Sequence, residues 1–180
     1  MTHELQTPET VTLRDGTLVH LRLLRPDDAE RIKAFFYRLS PESIFYRALE
    51  VRTSLSDDEA RRLCDVDGLT RVALAAVLEK DGTEHIIGVA RYGVVKPSQA
   101  DTAESAVVVE DAYQGKGLGR ALTTRLVQYA RNHGIRRFVA TIHLNNNKIL
   151  QFIKHSGLRV RRHIEGAVWD MNIYLDPPQQ

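Results

Sequence analysis

The sequence predicts a mixed α/β (α+β) domain in which helices flank a largely antiparallel central sheet with one βαβ crossover. Three observations carry that prediction. Apolar residues switch repeatedly between strand-like alternation and helical spacing, and no linker, repeat or low-complexity run interrupts them. Two strand pairs meet at short glycine turns, Asp81-Gly82 and Glu165-Gly166, the signal of antiparallel hairpins. In mid-chain, "DTAESAVVVE" passes through Gly115, Gly117 and Gly119 into a helix and then a further strand. With 180 residues, 43% hydrophobic and 27% charged, the chain fits a single globular domain with room for a core. Residues 13–175 are assigned to it, 1–12 to a flexible N-terminal segment and 176–180 to a flexible tail.

The elements follow in order. After the Asp15-Gly16 turn, a strand runs from Thr17 to Leu24. Pro26, Asp27 and Asp28 open a helix that spaces Ile32, Phe35 and Phe36 on one face. "LSPESIFYRAL" predicts a second short helix after Ser40, and "SLSDDEARRLCDVD" a third, capped by Ser56 with Glu59 three residues on. "RVALAAVLEK" and "HIIGVARYGVV" are the strands of the Asp81-Gly82 hairpin, and "DTAESAVVVE" is the third strand of that run. The next helix aligns Leu118, Leu122, Leu126, Tyr129 and Ala130 and stops at His133-Gly134. "RRFVATIHL" is a strand. "NNNKILQFIKHSG" is a helix with Ile149, Phe152 and Ile153 inward, and a final hairpin turns across Glu165-Gly166.

Composition narrows the function. The formal charge of +2 is nearly balanced, and the short basic clusters at Arg61-Arg62, Arg136-Arg137 and Arg159 to Arg162 form no continuous stripe, which argues against nucleic acid. Cys64 is the only cysteine, so an intrachain disulfide and a cysteine-rich zinc site are excluded. The seven histidines show no ligand spacing, and no metal is expected. No apolar run reaches the ~20 residues that span a bilayer, and "MTHELQTPET" is no signal peptide, so a cytoplasmic protein without membrane partners is expected.

The glycine corner asks for a reason, because glycine in a helix costs roughly 0.5–1 kcal/mol relative to alanine. It lacks the Gly-Lys-Ser/Thr of a nucleotide-triphosphate loop, and G-x-G-x-G fails the dinucleotide spacing. Two readings remain. The free N–H groups from Gly115 to Arg120 could cradle a pyrophosphate at the positive end of the helix dipole. Alternatively, glycine merely lets a strand and a helix turn tightly. Spacing alone divides evenly between them.

Gln114-Gly115-Lys116-Gly117-Leu118-Gly119 resembles the Gln/Arg-x-x-Gly-x-Gly/Ala signature of the GNAT superfamily of N-acetyltransferases. That resemblance implies the GNAT fold and acetyl-CoA as cosubstrate, its pyrophosphate held by this loop. The implied cofactor contacts are Val107, Val109, Gln114, Gly115, Lys116, Gly117, Leu118, Gly119, Arg120 and the helix-leading Asn146. "DGTLVHLRLLRPDDAERIKAFFYRLSPESIFYR", "AESAVVVEDAYQGKGLG" and the Asn-rich helix resemble, more narrowly, the catalytic domain of bacterial protein lysine acetyltransferases. The similarity runs over about residues 13 to 160. It implies a protein lysine acceptor, such as one on an acyl-CoA synthetase, and a possible homodimer through sheet edges. Those enzymes commonly carry a fused nucleotide-binding or synthetase-like domain; control by a fused sensor is expected to be absent here or to lie elsewhere. Many GNAT enzymes place a Tyr proton donor where this chain has Ile153. A CoA thiolate, with a pKa near the ~8.5 of a cysteine thiol, is a tolerable leaving group without one.

Direct attack on a thioester needs a deprotonated amine, yet a lysine with a pKa of about 10.4 is almost wholly protonated at pH 7. A strand carboxylate is the usual base. Glu104 is the only acid inside the strand that feeds the glycine corner, and alternation puts it on the face of Ala106 and Val108, opposite Ser105, Val107 and Val109. The resembled lysine acetyltransferases have their catalytic Glu at this position. Otherwise Glu104 is a solvated residue on an open face.

Other polar residues carry less weight. Glu110 and Asp111 are expected to shape the corner, and His143 to be an alternative base or a structural histidine. Asn146 can cap its helix as well as touch the cofactor. Lys116, Arg120 and Lys148 can pair with phosphates or with solvent. Tyr37, Tyr46 and Arg47 are expected at the core or rim of the acceptor groove, and Cys64 has no His partner. The primary expectation is N-acetyl transfer to a protein lysine with Glu104 as base. A small-amine acetyltransferase and a non-catalytic acyl-CoA sensor are the alternatives.

Overall fold

The structure, a computed structural model, describes residues 9–175. The expected tail at 176–180 and residues 1–8 of the expected N-terminal segment lie outside the described residues. The elements are β1 (Glu9–Thr12), β2 (Leu18–Leu23), α1 (Ala29–Arg38), α2 (Pro41–Ala48), α3 (Asp57–Cys64), β3 (Arg71–Lys80) and β4 (Thr83–Val94). They continue as β5 (Thr102–Val109), α4 (Leu118–Asn132), β6 (Arg137–His143), α5 (Asn147–Lys154), β7 (Arg159–Glu165) and β8 (Val168–Tyr174). The eight strands form one sheet in the order β1-β2-β3-β4-β5-β6-β8-β7. Only β5 and β6 are parallel, joined by the α4 crossover; every other neighbouring pair is antiparallel. The predicted fold class is the observed one.

The sheet separates two apolar clusters because alternate side chains point to opposite faces. Val72, Leu74, Tyr92 and Ala103 face α4, whose Leu118, Leu122, Leu126 and Ala130 are buried as their spacing predicts. Ala73, Ala75, Ile86 and Val89 face α1 and α3, meeting Ile32, Phe35, Ala60 and Cys64. Ile87 and Val89, two residues apart and so expected on one face, sit in different clusters because β4 bulges: Ala76 pairs with Gly88, whereas Val77 pairs with Ile86. The extra residue inverts the facing pattern between the two ends of β4. Gly88 lies beside it, and a Cβ there would stand 3.0 Å from the Leu122 side chain, which would have to give way.

Local signals account for several helix and strand ends. Ser56 and Glu59 form the expected reciprocal cap on α3. Asp81 and Gly82 both take positive φ, 53° and 71°, which the tight β3–β4 turn demands. Four expectations shift. Residues 9–12 are not a loose segment but the edge strand β1, whose ladder to β2 satisfies its backbone while Val11 packs on the core. Pro26–Asp28 forms a 3-10 turn, and α1 starts one residue later. In α5, Leu150 joins Ile149 and Ile153 on the core where Phe152 was expected. The last hairpin turns on Gly166 and Ala167, because Glu165 already pairs with Val168.

A buried ion pair holds the 3-10 turn to β2. Arg22 donates to both Asp28 carboxylate oxygens at 2.7 and 2.9 Å, and Arg31 adds a bond of 3.2 Å. Burial alone would raise the Asp28 pKa, but the hydrogen bonds from Arg22 and the Arg25 N–H overcome that and hold it below its usual value.

Candidate active site

The crossover opens a gap in the sheet. β5 pairs with β6 only from Thr102–Arg137 to Glu104–Val139, yet β5 continues to Val109 and β6 to His143. The other edge of β5 stays paired with β4 along its length. Backbone groups of residues 105–109 that would complete a ladder with β6 therefore face the gap. An extended ligand with amide groups can take the place of the missing pairing.

One end of this gap leads to the N-terminus of α4. Gly115 and Gly117 hold φ of 72° and 95°, conformations that side-chain-bearing residues rarely adopt. Gly117 is the N-cap and offers no side chain, so the first-turn N–H groups of Leu118, Gly119 and Arg120 keep their donors for a ligand. A Cβ on Gly119 would make only ordinary contact with Val109, at 3.8 Å, so packing does not demand glycine there. Bare backbone at a positive helix end suits a pyrophosphate. These residues fit the group that the sequence implies for them.

Side chains around the loop have other partners. Gln114 donates to the Val109 carbonyl at 3.0 Å and the Ser43 hydroxyl at 3.1 Å, while its own oxygen accepts from Lys148 at 2.8 Å. It braces β5 against α2 and α5. Lys116 pairs with Asp15 at 2.8 Å and lies over the Tyr113 ring. Arg120 is exposed. Val107 and Val109 turn their side chains to the α4 cluster, so what they present to the gap is backbone. Asn146 caps α5 by accepting from the Ile149 N–H at 3.3 Å. Ile153 packs into the core and carries no proton.

The acidic corner is structural, as expected. Glu110 pairs with Arg38 at 3.0 Å. Asp111 accepts from the Ser40 N–H and from the Ser40 and Ser43 hydroxyls, fixing the start of α2. Burial would raise its pKa, but these bonds hold it below the usual value.

Glu104 is exposed at the point where β5 and β6 part. Val108 joins the α1–α3 cluster and Val107 the α4 cluster, so the predicted alternation holds and Glu104 faces the helices α1 to α3. Its neighbour on β4 is Gly93, which has no side chain to cover it. His143 lies four residues beyond Val139, the partner of Glu104, which puts it roughly 13 Å along the strand. There it packs beside Phe45 and Tyr46, and its Nδ1 accepts from the Asn145 N–H. The two candidate bases are not brought together.

Two arginines converge here, Arg47, expected at the core or rim of the acceptor groove, and Arg91, which the sequence reading did not single out. Arg47 from α2 is within electrostatic reach of Glu104, and Arg91 projects from β4. Burial pushes both guanidinium pKa values down, and for Arg91 the charge of Arg47 adds to the effect. Both line a cavity of about 140 Å³ whose other walls include Phe35, Ile44, Val89 and Val108. An outer groove of about 370 Å³ adjoins it, flanked by the exposed Tyr37 and Val51. Cys64, the last residue of α3, is buried, and burial pushes its thiol up to about 11, which removes it as a nucleophile. One local signal could have flagged Arg91: it interrupts the apolar run of β4 at a position facing the helices.

Comparison with known proteins identifies the family of the chain. The profile of the acetyltransferase (GNAT) family matches residues 36–158, and the chain belongs to that family. Its enzymes use acetyl-CoA as cosubstrate. An acetyltransferase of Pseudomonas aeruginosa is 34% identical over 70% of this chain and 67% of its own length. The acetyltransferase Pat of Mycolicibacterium smegmatis is 28% identical over 84% of this chain. This chain spans only 44% of that relative's length. The crystal structure of the GNAT domain of S. lividans PAT superposes with a TM-score of 0.83 at 34% identity, covering 93% of this chain and 96% of that one.

Proposed function

We infer that this acetyltransferase transfers acetyl from acetyl-CoA to a primary amine with Glu104 as general base, and that the amine is a protein lysine. The observation that carries the reading is the position of Glu104, exposed beside the point where the sheet opens and on the strand that ends at the phosphate-binding turn. Acetyl-CoA supplies an activated acyl thioester. The chain supplies placement and a proton acceptor: the first turn of α4 and the free edge of β5 orient the donor, and Glu104 takes the ammonium proton.

The resemblance of the sequence to bacterial protein lysine acetyltransferases is what supports the lysine acceptor, and an acyl-CoA synthetase is the candidate carrier which that resemblance implies. The open groove beside Tyr37 and Val51 has room for an extended segment. Arginines at 47 and 91 make the inner wall cationic, which disfavours polyamines and other polycations. A second reading, a small amine, is favoured by one observation, the inner cavity behind the groove. The test is to incubate the protein with acetyl-CoA and a lysate of cytoplasmic proteins. Release of free thiol together with acetyl-lysine on discrete proteins by mass spectrometry is the expected result. Tight acetyl-CoA binding without thiol release would overturn it in favour of a sensing module.

A further inference from the structure

Three same-face rows of the β4–β5 ladder carry different chemistry. Gly93 faces Glu104, Arg91 faces Ala106, and Val89 faces Val108. Successive rows are roughly 6.7 Å apart along the strands. Arg47 reaches over them from α2. A negative base, a pair of cations and an apolar cavity thus follow one another across one surface.

The arginines, both half-buried, lack the company that such guanidiniums normally find. Among the described residues, no carboxylate lies within ion-pair distance of Arg47 or Arg91; Arg91 has one long hydrogen bond, 3.4 Å, to the Leu63 carbonyl. Arg52, on the same wall, pairs with Glu50 and Glu59. Arginine does not shed its proton in proteins, so a bound anion is what would offset the burial of the other two.

We propose that this site also accepts a free α-amino acid with an apolar side chain, its ammonium at Glu104, its carboxylate at Arg47 and Arg91, and its side chain in the cavity. The charges match a zwitterion and not a polycation. The cavity matches in size, since an apolar cavity of about 150 Å³ holds a benzene molecule. A leucine side chain is smaller. In the reaction a C–N bond forms at the acetyl carbon while the C–S bond breaks with its electron pair staying on sulfur. Glu104 takes the ammonium proton, the second proton that nitrogen loses as the amide forms goes to the departing thiolate, and the products are the N-acetyl amino acid and coenzyme A. The proposal rests on the reading of Glu104 as base and adds a second acceptor class to it.

The test compares leucine, leucinamide and glycine as acceptors with acetyl-CoA, following free thiol and the acetylated product. Leucine should exceed leucinamide in kcat/KM by roughly 10- to 100-fold, the worth of a charge-assisted carboxylate contact. It should exceed glycine by roughly 100-fold for four buried carbons. In Arg47→Gln and Arg91→Gln the preference for leucine over leucinamide should collapse. The wild-type comparison needs no variant, so misfolding of either cannot hide the answer. Equal use of leucine and leucinamide, or no use of leucine while lysate proteins are still acetylated, overturns the amino-acid site and leaves the lysine reading standing. Leucine turnover unchanged in Glu104→Gln would instead overturn the base assignment on which both rest.

Discussion

Glu104 stands opposite Gly93 in the β4–β5 ladder, so the carboxylate that feeds the active face has no cross-strand side chain over it. A Cβ built on Gly93 meets nothing within 4 Å, and its backbone does not need glycine. Gly93→Val should therefore fold like the parent and crowd the approach to Glu104. Acceptor kcat/KM should fall roughly 10-fold or more while acetyl-CoA affinity holds, a loss of the size expected when a pocket is misfitted by a methylene or two. Steady-state kinetics beside calorimetric binding of acetyl-CoA would show it.

The assignment of the glycine turn to a pyrophosphate is tested at Gly117. Its φ of 95° strains any residue with a side chain, and its place as the N-cap of α4 would set an added carboxylate beside a bound pyrophosphate. Gly117→Glu adds a negative charge and about 1–2 kcal/mol of backbone strain. Acetyl-CoA binding by calorimetry should collapse while circular dichroism still reports a folded protein. Undiminished binding would remove the assignment of this turn.

Stability should depend on acid through Asp28. Its carboxyl pKa is depressed in the folded state by the bonds from Arg22 and the Arg25 N–H, which outweigh its burial. A depressed pKa stabilises the fold above the unfolded-state value of about 3.9 and is lost as pH falls through that value towards the folded one. Asp28→Ala leaves Arg22 buried without its main partner and should cost about 3–5 kcal/mol at pH 7. The variant's deficit in urea melts should shrink between pH 5 and pH 3 on the same argument.

Much of this was legible in the chain, and the reasons differ by element. The α4 stripe, the Ser56–Glu59 cap and the Asp81-Gly82 turn are local, so short-range pattern finds them. β1 carries one core residue, Val11, in four, and its strand exists because β2 supplies a partner. The bulge opposite Ala76 and Val77 is set by two strands together and leaves no mark in either alone. The gap between β5 and β6 is an absence of pairing, which no residue type announces. Arg47 and Arg91 come from elements far apart in sequence and meet only because α2 packs on β5, the neighbour of β4. Gln114 had a role in the phosphate signature, but its brace to Ser43, Val109 and Lys148 needed the folded chain.

The base assignment is the centre of the account, and Glu104→Gln measures it most directly. The substitution keeps shape and most hydrogen bonding but removes the proton acceptor. At pH 7, kcat should fall by about 10²–10⁴-fold with acetyl-CoA affinity nearly unchanged. The deficit should narrow as pH rises towards the acceptor's pKa, because more amine then arrives neutral. His143→Ala should cost far less across the same range, since that ring packs against Phe45 and Tyr46 at the end of β6. Turnover of Glu104→Gln within a few-fold of the parent at pH 7 would contradict the account.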